Sequence, residues 1–298
     1  MAETRAEDTR LGDATRAGAR IRYHLHGTGE TRVILLPTWE IIDSRGWQRQ
    51  VPVLDDHATV ITFDAVGTGA SDRPRESGRY TESHRMADAL AVLDATGTER
   101  AVVVGYSASG GTALNLAARH PERVDALLTI GANHPWMVDP DVDVESAPYD
   151  PETGTPPKGW GAFDPAYWHA DWPGFVDWFM HEVCSDPGAD EDVADLISWA
   201  LEQDPQIAEW TVRDAADLDA TDTERGLRAL DTPTTLMHGT SDRIVGFHSS
   251  EILRDMIPGA RVVPVEGAGH APQLTRAGEV NAAILDLVAR VAPAPHAR

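Results

Sequence analysis

The run Ala101-Val102-Val103-Val104, followed at once by Gly105-Tyr106-Ser107-Ala108-Ser109-Gly110-Gly111, constrains this chain more than any other stretch. An apolar run of strand length has no polar face to offer water, so it predicts a strand covered on both sides, as in a parallel sheet. The small residues behind it predict a tight turn into a helix from about Ala108 to Arg119, stopped by Pro121. Val124 to Ile130 then reads as a second buried strand. Strand, helix and strand in this order make a right-handed crossover and predict an α/β fold.

The same rhythm extends on both sides. Ile21 to His26 and Val33 to Leu36 read as neighbouring strands joined by Gly27-Thr28-Gly29, and Thr59 to Phe63 as a third strand. Between Thr81 and Thr96, Met86, Ala89, Leu90 and Leu93 fall on one helical face, and Gly97 is placed to end that helix. Further on come a strand at Thr234 to Met237, a helix at His248 to Met256, a strand at Arg261 to Val265, and a last helix carrying Val280, Ile284, Leu287 and Val288. The segment from Asn133 to Glu224 breaks the pattern: it is rich in Trp, Asp and Pro and holds seven of the nine tryptophans. It predicts an insertion of short helices, with Asp177 to Glu182 and Val193 to Glu202 as candidates. The expected organisation is an α/β core of residues 1–132 and 225–298 with a helical unit, 133–224, between them.

Composition narrows the partners. With 25 basic and 48 acidic residues the formal charge is 25 − 48 = −23, a field that repels phosphate backbones and anionic lipid, so neither nucleic acid nor a membrane is expected. Cys184 is the single cysteine, so no intrachain disulfide exists. The first twenty residues mix charged and small types without a signal-like apolar run, and no stretch approaches about 18 uninterrupted apolar residues. A cytoplasmic location is the expectation, with the 292–298 end disordered.

Chemistry concentrates at three strand ends. A serine on a tight strand-to-helix turn has its hydroxyl pushed out at the sheet's carboxyl edge, where Gly105 and Gly110 give the strained backbone room. That hydroxyl is a weak nucleophile until a histidine takes its proton and a carboxylate orients the histidine. His238-Gly239-Thr240-Ser241-Asp242 follows one later strand and Gly267-Ala268-Gly269-His270 the next. Ser107, Asp242 and His270 therefore arrive at one edge of a parallel sheet, where ligands of such sheets bind. They are the candidate catalytic residues.

These residues, their order Ser, Asp, His, and the segments FDAVGTGASDRP, HGTSDRIV and GAGHAPQ resemble the α/β-hydrolase superfamily over about residues 20–290. Ser109 stands where the family's G-x-S-x-G motif has its second glycine. The resemblance implies a mostly parallel central sheet flanked by helices, with residues 133–224 as an inserted helical cap (lid). It also implies an oxyanion hole of two backbone N–H groups. One is Ala108, at a helix N-terminus that favours negative charge. For the other the family usually carries His-Gly-x, whereas this chain reads Leu35-Leu36-Pro37-Thr38-Trp39, which places Trp39 as donor. Trp39 and Tyr106 flank the expected site and are the candidate substrate contacts; two or three of the seven inserted tryptophans are expected to join them.

Other motifs read as structural. Asp64, at the foot of a Gly-rich turn, is expected to accept backbone N–H bonds. Gly67-Thr68-Gly69 opens no helix and is not a dinucleotide fingerprint. His238 is expected to be structural. Asp139, Asp141, Asp143 and Glu145 alternate as in a calcium loop, but Val144 holds the position that needs glycine, so a solvated loop is expected. His134, His169 and His181 lack H-E-x-x-H spacing, so no metal is expected. The expected function is a serine hydrolase cleaving a carboxylic ester, lactone or thioester of an apolar small molecule, without a cofactor and with a homodimer left open. The alternatives are a carbon–carbon bond hydrolase, a cofactor-free perhydrolase, or a non-enzymatic small-molecule sensor. A dehalogenase or epoxide hydrolase is disfavoured, because its attacking aspartate would replace Ser107.

Overall fold

The computed structural model describes residues 9–139, 145–213 and 216–292. The expectations for 293–298, Asp141 and Asp143 lie outside them. The strands are β1 (Arg10–Arg16), β2 (Ala19–His26), β3 (Arg32–Leu35), β4 (Thr59–Phe63), β5 (Ala101–Tyr106), β6 (Val124–Ile130), β7 (Thr234–Gly239) and β8 (Arg261–Val265). The helices of the core are α1 (Val51–Leu54), α2 (Glu82–Ala95) and α3 (Ala108–Arg119) before β6, then α8 (Ala220–Arg228), α9 (His248–Met256), α10 (Pro272–Thr275) and α11 (Ala277–Val291). Between β6 and α8 run α4 (Pro165–Ala170), α5 (Trp172–Val183), α6 (Asp190–Ala200) and α7 (Pro205–Arg213).

The strands form one sheet in the order β1-β2-β4-β3-β5-β6-β7-β8. The β1–β2 and β2–β4 pairs are antiparallel, and every later pair is parallel. The valine run shows why it has no polar member. Val102 and Val104 point into the layer with α11, Val103 into the layer with α2 and α3, and all are fully buried. Each such side chain contributes roughly 1.5–3 kcal/mol of burial.

Two expectations are corrected. β2 and β3 are not neighbours, because β4 lies between them: Tyr23–His26 pair with β4, which in turn pairs with β3. Gly27 and Gly29 do not close a hairpin but press on the start of β4. A Cβ at Gly27 would lie 2.3 Å from the Asp55 carbonyl oxygen, and one at Gly29 2.5 Å from Ala58 Cα. The second correction is an addition. β1 has no apolar pattern to announce it, because Ala14 is its single buried residue. Its signal is the turn Ala17-Gly18, with φ of 47° and 78°, the paired left-handed conformation of a tight hairpin.

The inserted helices bury their rings on one another. Trp168 and Phe175 are fully buried, with ring centres 4.9 Å apart, and Phe175 stacks on Phe179 at 5.4 Å. Trp39 of the core loop enters this cluster, 5.4 Å from Phe179 and 5.6 Å from Trp168. The helix that follows this run, α8, returns to α3, where Gly226 lets the two backbones approach.

Candidate active site

Ser107 joins β5 to α3 with φ 53° and ψ −120°, a conformation that costs a residue with a side chain of order 1–3 kcal/mol. Its surroundings hold it there. The Ser107 N–H donates to the Ile130 carbonyl at 2.9 Å, and its carbonyl accepts from Asn133 at 3.0 Å. No side chain fits beside it at Gly105, where a Cβ would meet the Ser109 carbonyl at 2.2 Å, or at Gly110, where it would meet Ala132 at 2.6 Å. Ser109 has a use that glycine would lack: its Oγ accepts from the Tyr106 N–H at 3.0 Å and reaches the Leu36 carbonyl at 3.3 Å.

The structure brings Ser107, Asp242 and His270 together. His270 Nε2 lies 2.8 Å from Ser107 Oγ, and its Nδ1 lies 2.7 Å from Asp242 Oδ2. The other oxygen of Asp242 accepts the N–H groups of Ile244 and Val245 at 2.8 and 2.9 Å. Burial alone would raise the Asp242 pKa, but the facing imidazoles of His270 and His238 outweigh it and hold the carboxyl well below the usual range. An ionised carboxylate facing Nδ1 fixes the tautomer in which Nε2 is free to take a proton.

His238 does more than fill space. It is fully buried, its Nε2 is 3.1 Å from Asp242 Oδ2 and 2.9 Å from the Val245 carbonyl, and its Nδ1 is 2.7 Å from Ser250 Oγ. Gly131, at the end of β6, was missed in the sequence. A Cβ there would sit 3.1 Å from Asp242 Oδ2 and 3.2 Å from His270 Nδ1, and its φ is 49°. Its only signal was a glycine directly after a buried strand. The insertion also steadies the histidine loop: the Val183 carbonyl accepts from His270 N–H at 3.1 Å, and Asp186 accepts from Gly269 N–H at 2.8 Å.

Ala108 is the first residue of α3, so its N–H is one of those a helix start leaves without an intrahelical acceptor. The Trp39 N–H has no hydrogen-bond acceptor among the described residues. Both residues line a broad cleft of about 660 Å³ that also holds Ser107, Trp160, Phe163, Val212, Ile244 and Asp139. A second, narrow cavity of about 40 Å³ meets it at Ser107, Trp39 and Phe179, walled by Tyr106, Trp47, Met180, Leu196 and His270. The Tyr106 ring lies 5.1 Å from that of His270. Of the seven inserted tryptophans, Trp160 is the one on these two walls, fewer than the two or three expected. Trp168 and Trp172 are instead spent on the insertion's own core, Trp210 stacks on Tyr80, and Trp199 carries Arg45 on its face.

Asp64 accepts from Ser44 Oγ at 2.7 Å and from the Ala70 N–H at 2.8 Å, pinning the Gly-rich turn. Glu145 pairs with Lys158 at 3.0 Å, and His169 with Glu209 at 2.8 Å, and none of the four lines the cleft.

A family model for the alpha/beta hydrolase fold matches residues 25–160. The 2-hydroxymuconate semialdehyde hydrolase of Pseudomonas putida is 31% identical over 220 residues, covering 73% of this chain and 72% of its own. The chain belongs to the α/β-hydrolase fold family. A non-heme haloperoxidase of Rhodococcus erythropolis, another relative, is 28% identical over 274 residues, 91% of this chain and 96% of its own. Among solved structures, the enol-lactonase of Burkholderia xenovorans superposes with a TM-score of 0.74 at 22% identity, over 93% of this α/β hydrolase and all of that chain, a likeness of fold. No helix among the described residues is long and apolar enough to cross a membrane.

Proposed function

We propose that this α/β hydrolase is a serine hydrolase that cleaves a carboxylic ester, lactone or thioester of an uncharged, largely apolar small molecule through an acyl-enzyme. The observation that carries the reading is the 2.8 Å approach of His270 Nε2 to Ser107 Oγ with Asp242 behind the ring. As Ser107 Oγ bonds to the carbonyl carbon, its proton passes to His270 Nε2, and Asp242 stabilises the imidazolium. The Ala108 and Trp39 N–H groups receive the negative charge on the former carbonyl oxygen, each worth about 3 kcal/mol in the transition state. Collapse breaks the bond to the leaving oxygen or sulfur, which takes the proton from Nε2. Water then repeats the sequence on the acyl carbon, releasing the acid and restoring Ser107.

The walls support the substrate class. Arg85, the cation on the cleft wall, is already paired with Glu40 at 2.6 Å and with Glu82 at 3.4 Å, and Asp139 is also on the wall. An anionic substrate would meet no uncompensated charge of opposite sign there among the described residues. The two cavities differ more than tenfold in volume, so one flank of the carbonyl is small and the other bulky. The helices of 133–224 serve as the lid over this carbonyl.

The test is hydrolysis of neutral aryl esters by Ser107→Ala. A fall in kcat of at least about 10³-fold is expected, with loss of the fluorophosphonate adduct on residue 107. Retention of the wild-type rate overturns the reading.

A further inference from the structure

Three attachments hold Trp39 and its neighbours in the loop after β3. Before it, Thr38 Oγ1 donates to the Tyr106 carbonyl at 3.0 Å, tying the loop to the strand that delivers Ser107. After it, Glu40 is 2% exposed and takes a two-pronged bond from Arg85 of α2, Nε at 2.6 Å and Nη2 at 3.0 Å. Its own indole Nε1 donates to Thr211 Oγ1 of α7 at 2.6 Å. The circuit closes because Arg85 Nη2 also donates to the Thr211 main-chain carbonyl at 3.0 Å.

We propose that Arg85 is a positioning residue for the oxyanion hole, and that Glu40, Arg85 and Thr211 make the placement of the Trp39 N–H depend on the seating of α7. This rests on the hydrolase reading above and adds to it a link between the inserted helices and the reacting oxygen. A two-pronged guanidinium–carboxylate bond fixes orientation as well as distance, which a lysine or a lone hydroxyl does not. The reach of the effect is short: Glu40 adjoins Trp39, so a slack Glu40 side chain releases the peptide that carries one of the two donors. The donors act only on charge that develops in the transition state, so their misplacement falls on kcat.

Arg85→Ala and Thr211→Val are compared with wild type on a neutral aryl ester, together with affinity for a matched trifluoromethyl ketone, whose adduct carries the oxyanion. Arg85→Ala is expected to lower kcat by about 10–100-fold with KM within about twofold, and to weaken the ketone by the same factor. Thr211→Val, which keeps the carbonyl that Arg85 uses, is expected to lose several-fold in both. Binding of the unreactive methyl ketone stays at its wild-type value. Should Arg85→Ala fail to fold, Thr211→Val carries the test. Unchanged kcat in the folded variants, or a loss confined to KM, overturns the proposal while Ser107→Ala still reports on the hydrolase reading.

Discussion

The two halves of the candidate site are built differently. Ser107, Asp242 and His270 stand on turns directly after β5, β7 and β8, so the sheet itself spaces them. Trp39 stands on a loop after β3 whose conformation is held by an ion pair to α2 and a hydrogen bond to α7. The first half inherits the rigidity of a close-packed core, and the insertion adds to it two bonds on the His270 loop, from Val183 and Asp186. The second depends on partners 45 and 172 positions away, and so on the inserted helices being in place. Strand ends supply geometry that persists; loops supply geometry that other elements can set.

The largest expected effect tests the strand-end half. Asp242→Asn keeps the shape but removes the ionised partner of Nδ1, and kcat on an aryl ester should fall by about 10⁴-fold with the fold retained. A loss under tenfold would mean that the acid is not the orienting group. Next comes Gly131→Val, which places branched carbon against the Asp242–His270 contact at a φ of 49°. At least a hundredfold loss of kcat is expected there, on the order of that from an ångström of misplacement, and a full rate would show that the strand ends yield more easily than their packing implies.

The smallest effect is on stability against pH, and it sets the start of the insertion against the strand ends. Burial pushes His134, in the segment leading from β6 into the insertion, down to about 4. Protonation in the unfolded chain at about 6.5 therefore favours unfolding, and this contribution is lost as pH falls from about 6.5 to about 4. Asp242 is depressed in the same direction but acts in a lower window: its contribution is full above its ordinary value near 3.8 and fades only in stronger acid. Thermal unfolding midpoints are expected to decline between pH 6.5 and 4 in wild type and more shallowly in His134→Gln. They should match in slope for Asp242→Asn until pH drops below 4. Equal slopes in all three proteins would remove the distinction.

Much of this was legible in the chain because it is local. The apolar runs at Val102–Val104 and Val124–Ile130 state their burial by themselves, and a glycine-flanked serine behind one of them states its turn. The order of strands was not legible, since nothing in Gly27-Thr28-Gly29 distinguishes a hairpin from a chain that passes the end of β4. Nor was β1, whose alternation carries one buried alanine. The tryptophans misled for a related reason: an aromatic ring is equally at home against another ring or against a ligand, and composition cannot say which neighbour it finds. Glu40 and Arg85 gave no signal, because an ion pair needs two positions 45 residues apart to be known as neighbours.

The sequence by itself determined the α/β alternation, the turn that exposes Ser107, and the strand ends on which Asp242 and His270 arrive, because period, turn chemistry and chain order act over a few residues. Tertiary structure alone decided that β4 separates β2 from β3, that His238 and Gly131 border the Asp242–His270 contact, and that Trp39 is tied to α7. Those outcomes are set by which distant surfaces fill each other's space, and packing of that kind is a property of the folded whole.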